Sequence, residues 1–250
     1  MTTELEYEKL KSIEIFKSIE FFESIETRTT NLKSIEFSEL KVFLPVGEFG
    51  SGKSTIFNHL FGKEIFKVGS GIFPETKSTS YKNIKINDDN ENSYNEEKQL
   101  ILVDTPGFTD NLEENIHIAK DIFKITKELK QIDNFILCLD NQRFTDRIKD
   151  FISILGITFP GFLKYTVLVL TKWFSTDLNR MNKIRKEYQK LFKEEYNVPD
   201  IKVFFVGNKI NETQIEGLKN PNSQEQNMLE LMELKKYLIT QNAFFEFKNI

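Results

Sequence analysis

From Glu39 onward, short apolar runs alternate with stretches whose apolar residues return every three or four positions. KVFL at Lys41–Leu44 reads as a strand, and Lys53–Phe61 as the helix after it. YKNIKI at Tyr81–Ile86 alternates like a half-buried strand, and the polar stretch NDDNENSYNEEK separates it from QLILVDT. That pair predicts a hairpin at a sheet edge. A helix follows over Asp110–Lys130, with Asp110 and Glu113 placed as a capping box. NFILCLD at Asn134–Asp140 is a buried strand, Thr145–Leu155 a helix, and YTVLVLT at Tyr165–Thr171 the most apolar strand. Leu178–Tyr196 carries Leu178, Met181, Ile184, Tyr188 and Leu191 on one helical face. KVFFVG at Lys202–Gly207 is the last strand, and Asn222–Thr240 the closing helix. Near-continuous apolar strands between amphipathic helices predict an α/β fold. It is a mostly parallel six-stranded sheet with one antiparallel edge strand and helices on both faces.

Residues 1–38 break this pattern. KSIE occurs three times, at Lys11–Glu14, Lys17–Glu20 and Lys33–Glu36, while Ile13, Phe16, Ile19, Phe22 and Ile25 recur every third position. Strict period three drifts around a helix, so the apolar stripe is imperfect. We read a low-complexity, helical N-terminal extension, and a second domain over 39–250. A helix for a partner or a membrane surface is the sharper alternative, and the glutamates on its face argue against anionic lipid.

Composition narrows the classes. The chain has 250 residues, 39% hydrophobic and 29% charged, enough to build a sizeable core. A net charge of −4 gives no global basic field, so nucleic acid is not an expected partner. The single cysteine, Cys138, excludes a disulfide framework and points to a reducing compartment. His59 and His117 have no Cys or His neighbours at metal-ligand spacing. No apolar run reaches the roughly 18 residues of a membrane span, and neither terminus carries a targeting or lipidation pattern. The expectation is a cytoplasmic protein, with peripheral membrane contact unsupported by the residues.

The chemistry is concentrated in VGEFGSGKST, Val46–Thr55. Gly47, Gly52, Lys53 and Ser54 have the G-x-x-x-x-G-K-S spacing of a phosphate loop between strand and helix. Gly47, Gly50, Ser51 and Gly52 wrap backbone N–H groups around phosphates, Lys53 bridges β- and γ-phosphates, and Ser54 ligates Mg²⁺, with Thr55 in the helix's first turn. Pro45 is expected at the strand exit, outside the ladder. Further on, LILVDTPGF places Asp104 at a strand's carboxyl end, where an acid holds Mg²⁺, and Gly107, whose N–H reaches a γ-phosphate. FPETKSTS lies between, and a threonine there completes the Mg²⁺ coordination only when γ-phosphate is present. Thr76 is the candidate and Thr79 the second choice. Together these make a P-loop NTPase, and the DTPG element points to a GTPase of the translation-factor-like class.

The base end is divergent. After TVLVLT, where GTPases place N/T-K-x-D, this chain reads Thr171-Lys172-Trp173-Phe174. Phenylalanine stands where an acid would pair with guanine. Asp177 could reach back, Trp173 or Phe174 could stack on the base or simply pack in the core, and Asn208 in VGNK is a candidate base contact.

GEFGSGKST with IFNHLFGKEIF, then ETKST, DTPGF and LDNQRFTD, resembles the immunity-associated nucleotide-binding family (IAN or GIMAP, the AIG-type GTPases). Arg143-Phe144-Thr145 falls where that family has its distinctive box, and TKWF is closest to a divergent, protozoan-like branch. The similarity runs from about Lys41 to Asn208. It implies a Ras-like sheet, GTP/GDP binding with Mg²⁺, and nucleotide-dependent homodimers or oligomers, often at membranes. Phe108 occupies the position of the glutamine that orients water in Ras-like enzymes, so turnover should be slow. Phe49 fills the space an arginine finger would enter. Arg143, together with Thr76, is therefore the catalytic candidate, Arg143 acting on a partner's phosphates. A surface arginine is its plainer reading. The function expected is a slowly hydrolysing, self-assembling GTP switch. The alternatives are a nucleotide-locked scaffold and, on Phe174 alone, an ATPase.

Overall fold

The computed structural model describes residues 40–68, 76–87, 97–140, 144–173, 177–207 and 222–247. The KSIE repeats, Arg143, Phe174, Asn208 and most of the polar loop after the second strand lie outside the described residues.

The apolar runs form six strands: β1 (Leu40–Val46), β2 (Ser80–Asn87), β3 (Glu97–Asp104), β4 (Asn134–Asp140), β5 (Thr166–Thr171) and β6 (Lys202–Val206). They make one sheet in the order β2-β3-β1-β4-β5-β6. β2 runs antiparallel to β3, from Ser80 opposite Asp104 to Asn87 opposite Glu97, and the other neighbours are parallel. The edge hairpin and the mostly parallel sheet are as the hydrophobic pattern predicts. Among the described residues five α-helices accompany them: α1 (Lys53–Phe61), α2 (Leu112–Leu129), α3 (Asp146–Thr158), α4 (Leu178–Tyr196) and α5 (Asn222–Thr240).

Successive strand side chains point to opposite faces, so each buried strand supplies both layers. On one face Phe43, Leu102, Ile136, Cys138, Val167, Val169 and Phe204 pack against Ile56, Phe57 and Leu60 of α1 and Leu234 and Leu238 of α5. On the other, Phe135 meets Phe159 and Phe162 edge-on, Phe123 of α2 meets Phe159, and Arg185 of α4 lies over Phe205. Helices thus cover both faces. Among the described residues no helix is long and apolar enough to cross a membrane.

Three expectations are corrected. Pro45 lies inside the ladder, paired with Ile136 of β4. It is tolerated because a strand residue's N and C=O face the same side, and the Pro45 carbonyl faces away from β4, accepting from Thr105 Oγ1 at 2.7 Å. The β1–β3 ladder has already ended at Phe43–Leu102, so no donor is missed there. The cap of α2 is Asn111, whose side chain accepts from the N–H groups of Glu113 and Glu114. Asp110 instead pairs with Arg147 at 2.6 Å. Leu178 is exposed, and the buried positions of α4 are Met181 and Phe192. A two-residue ribbon joining Gln131–Ile132 to Phe245–Glu246 has no signal in the periodicity.

Candidate nucleotide-binding site

β1 lies between β3 and β4, so the chain leaves it at the point where strand order reverses. In open α/β sheets ligands bind at such a point, outside the carboxyl ends of the strands. The loop that follows holds Gly47, Gly50, Ser51 and Gly52, and α1 begins at Lys53 with Ser54 and Thr55 in its first turn. Gly52 caps α1 with no side-chain hydrogen bond, and the first turn carries no acid. Its N–H groups and the positive end of the helix dipole therefore face a position suited to an anion. Gly47 cannot be larger: a Cβ would stand 2.3 Å from the Cys138 carbonyl oxygen and 2.7 Å from Ser51 Oγ. Ser51 Oγ is buried without a hydrogen-bond partner.

Lys53 is buried, and Nζ donates to the carbonyls of Glu48 at 2.9 Å and Gly47 at 3.2 Å. Burial lowers its pKa to about 8, against the opposing charges of Asp104 and Glu48. A phosphate group beside Nζ would supply the counter-charge that burial removes. Cys138, beneath the loop, is fully buried and its thiol is pushed up to about 12 by that burial.

Asp104 gathers the hydroxyls. Ser54 Oγ donates to Oδ1 at 2.7 Å, and Thr76 Oγ1 donates to Oδ2 at 2.9 Å. Thr79, the second choice, is buried with its hydroxyl unpartnered and does not join this group. Among the described residues no cluster of three or more His, Cys, Asp or Glu is suited to a metal ion. Two hydroxyls and one carboxylate are still the kind of hard oxygen set that Mg²⁺ accepts when phosphate oxygens and water complete its shell. The residues fit the ion.

DTPGF is fastened to the phosphate loop. Phe108 N–H donates to the Gly47 carbonyl at 3.1 Å, and Phe49 N–H donates to the Phe108 carbonyl at 3.0 Å. Gly107 permits this approach, since a Cβ there would stand 2.4 Å from Phe49 Cα. The Phe108 side chain is buried against Phe151 of α3, whereas Phe49 is 46% exposed. Nothing in the Phe108 ring can orient a water.

The base end is held differently. Thr171 Oγ1 donates to the Ser51 carbonyl at 2.7 Å and the Leu139 carbonyl at 3.1 Å, tying β5 to the phosphate loop. Lys172 adopts a positive φ and its Nζ pairs with Asp140 at 2.7 Å. Of the open readings, core packing holds for Trp173, and the reach of Asp177 back to the base is corrected. Trp173 packs in the core against Phe205, and its backbone N–H donates to the Val206 carbonyl. Asp177 is the N-cap of α4, accepting from Asn179 and Arg180 N–H groups. Of the remaining candidates, Arg143 and Asn208 lie outside the described residues. The role of Thr171 as an anchor for the loop, and the Lys172–Asp140 pair, have no local motif that would have revealed them.

The sequence matches the model of the 50S ribosome-binding GTPase family over residues 42–172, more than half of the chain. The chain belongs to that GTPase family. The matched segment runs from β1 through the phosphate loop and Asp104 to Lys172, so it contains the gathered hydroxyls of this GTPase site. No curated protein matches the sequence. Among solved structures, Toc33 from Arabidopsis thaliana is similar in a dimerization-deficient mutant, with TM-score 0.55 and 15% identity over 94% of this chain and 93% of that one. Toc33 with Mg²⁺ and GMPPNP gives TM-score 0.54 and 16% identity, over 94% and 93% of the two chains. Toc33 with GDP and Mg²⁺ gives TM-score 0.52 and 16% identity over the same shares, 94% and 93%. At these identities the likeness is one of fold.

Proposed function

We propose that this chain binds GTP and GDP with Mg²⁺, hydrolyses GTP slowly, and acts as a nucleotide-dependent, self-assembling switch. The observation that carries the reading is the convergence of Ser54 and Thr76 on Asp104, beside buried Lys53. Ser54 and Asp104 belong to fixed elements, while Thr76 arrives from the segment before β2. A threonine that joins the group only with γ-phosphate present would make that segment a sensor of nucleotide state. Mg²⁺, when bound, would neutralise phosphate charge; Lys53 and the α1 N–H groups hold the phosphates in place. The buried Phe108 side chain supports slow turnover.

For self-assembly the support is a likeness of fold to Toc33, of which one similar structure is a dimerization-deficient mutant. Within this proposal Arg143 acts on the partner's phosphates, the GEFGSGKST, DTPGF and RFT elements support an AIG-type branch, and the protein works in the cytoplasm. A second reading is a nucleotide-locked scaffold with negligible hydrolysis. It is favoured by the two backbone bonds that fasten Phe108 to the phosphate loop.

The test is Mg²⁺-dependent binding of GDP, GMPPNP and ATP to the full chain, with molar mass recorded in each state and GTP turnover measured at the highest concentration. Guanine-selective binding, doubled mass only with GMPPNP, and turnover that rises with protein concentration are expected. Unchanged mass with no turnover would leave the scaffold. ATP bound more tightly than either guanine nucleotide would overturn both.

A further inference from the structure

The base end lacks an acidic group at the usual position, and the described polar side chains on either side of that position are engaged elsewhere. Lys172 holds Asp140, Asp177 caps α4, and Thr171 holds the phosphate loop. Among the described residues one polar group at this end is uncommitted, and it comes from the far end of the chain. α5 is fixed along β6 by buried Glu230, which accepts from the Phe205 N–H at 3.2 Å and from Arg185 Nη2 at 2.7 Å. Asn227 lies three residues earlier, on the same helical face. It therefore falls beside the carboxyl end of β6, the sheet edge that also bears the phosphate loop.

The contact there is close. A Cβ on Gly207 would stand 2.5 Å from Asn227 Nδ2 and 2.7 Å from the Trp173 carbonyl oxygen. The Asn227 amide thus sits where the chain leaves β5 and β6, and its Oδ1 is buried with no hydrogen-bond partner. A buried amide oxygen left unpaired carries a desolvation cost, and a ligand that donates to it would offset that cost. Guanine presents two adjacent donors on its Watson–Crick edge, N1–H and the 2-amino group; adenine presents only its 6-amino group there.

We propose that Asn227 is the residue that selects guanine, its Oδ1 accepting from the base edge in place of the acid that TKWF lacks. The inference rests on the guanine-nucleotide reading above and names the group that enforces it. A side chain from α5 suits this task because Glu230 pins the helix to β6, so the amide is presented from a rigid element. The close fit at Gly207 explains why that position cannot carry a larger residue without moving the amide.

The experiment measures GDP and ADP affinities, with Mg²⁺, for the full-length chain and for Asn227→Ala and Asn227→Asp, alongside thermal unfolding without nucleotide. Asn227→Ala should lose about tenfold in GDP affinity with ADP unchanged, in keeping with one buried hydrogen bond. Asn227→Asp keeps the size and supplies a charged acceptor, so GDP should bind several-fold more tightly and the GDP:ADP ratio should rise. Asp also serves if the alanine variant fails to fold. A lowered melting temperature with the GDP:ADP ratio unchanged in both variants would overturn the proposal and leave Asn227 as a helix-docking residue. Equal GDP and ADP binding by the wild-type chain would instead sink the guanine reading itself.

Discussion

The two ends of the nucleotide crevice are built on different principles. At the phosphate end the ligand-facing groups are backbone N–H groups, one lysine and two hydroxyls, drawn from segments whose order in the chain is fixed: the loop after β1, the segment before β2 and the end of β3. Phosphate is the same in every nucleotide, so its recognition can be written as glycine spacing and a helix start. At the base end Thr171, Lys172, Trp173 and Asp177 all serve the protein's own architecture. The group left over among the described residues, Asn227, lies in α5. Reading a base needs only one or two side chains at a position in space, and any element reaching that position can supply them.

The comparison is broken most directly at Lys53. Lys53→Ala removes the one buried cation of the phosphate end among the described residues, along with the donor to the Gly47 and Glu48 carbonyls. GDP affinity should fall by about 100-fold or more, the scale seen when a preorganised charge in a dry site is deleted. The GDP:ADP ratio should stay near its wild-type value, because the deletion does not touch the base end. Calorimetric titration of both nucleotides measures it. A loss of only a few-fold would mean that the helix N-terminus alone holds the phosphates.

Next in size is the clamp that presents α5. Glu230 is buried and satisfies an outward N–H of β6, while Arg185 Nε donates to the Val203 carbonyl at 3.1 Å on the same open edge. An edge strand with its outer groups paired by side chains is closed to other strands. Glu230→Ala would leave the Phe205 N–H without its acceptor and take one of three partners from the Arg185 guanidinium, at a cost of about 2 kcal/mol in urea unfolding. Discrimination between GDP and ADP should fall with it, since Asn227 rides on the same helix. A destabilised protein that keeps full guanine selectivity would separate the clamp from the reader.

The same contrast explains what could be read from the sequence. The boundaries of α1, α4 and α5 and of β4 follow from the positions of their apolar residues, because each buries one face against a sheet whose other face is buried as well. The phosphate loop was legible because backbone geometry must be encoded by neighbours in sequence. Pro45 was misplaced because its harmlessness depends on where β3 stops, a fact of tertiary pairing. The cap of α2 falls one residue later than expected, since Asp110, Asn111 and Glu113 are all competent polar groups; in the structure Asn111 caps and Asp110 pairs with Arg147. Asn227 gave no signal because a polar residue on a helix looks like surface until its face is known. The tight approach to Gly207 is what identifies it.

The finest distinction between the two ends is their response to pH. Burial lowers the pKa of Lys53 to about 8, while in the unfolded chain the lysine keeps its ordinary value of 10.5. Between these limits the unfolded chain holds a proton that the folded, nucleotide-free chain has released. The unfolded state thus binds more protons, and the stability of the nucleotide-free protein rises with pH across the window from about 8 to 10.5. Nucleotide binding has the opposite sign: a phosphate beside Nζ favours the charged form, so binding above about 8 takes up a proton and weakens as pH rises. GDP affinity should fall roughly fivefold over the first full unit above that pKa and approach tenfold per unit beyond it. Asn227 carries no charge, so ADP should weaken in parallel and the GDP:ADP ratio should stay level. Titrations of both nucleotides across this range, repeated on Lys53→Ala, check both halves: the variant should lose the slope, and a slope that survived in it would assign the titration to a different group.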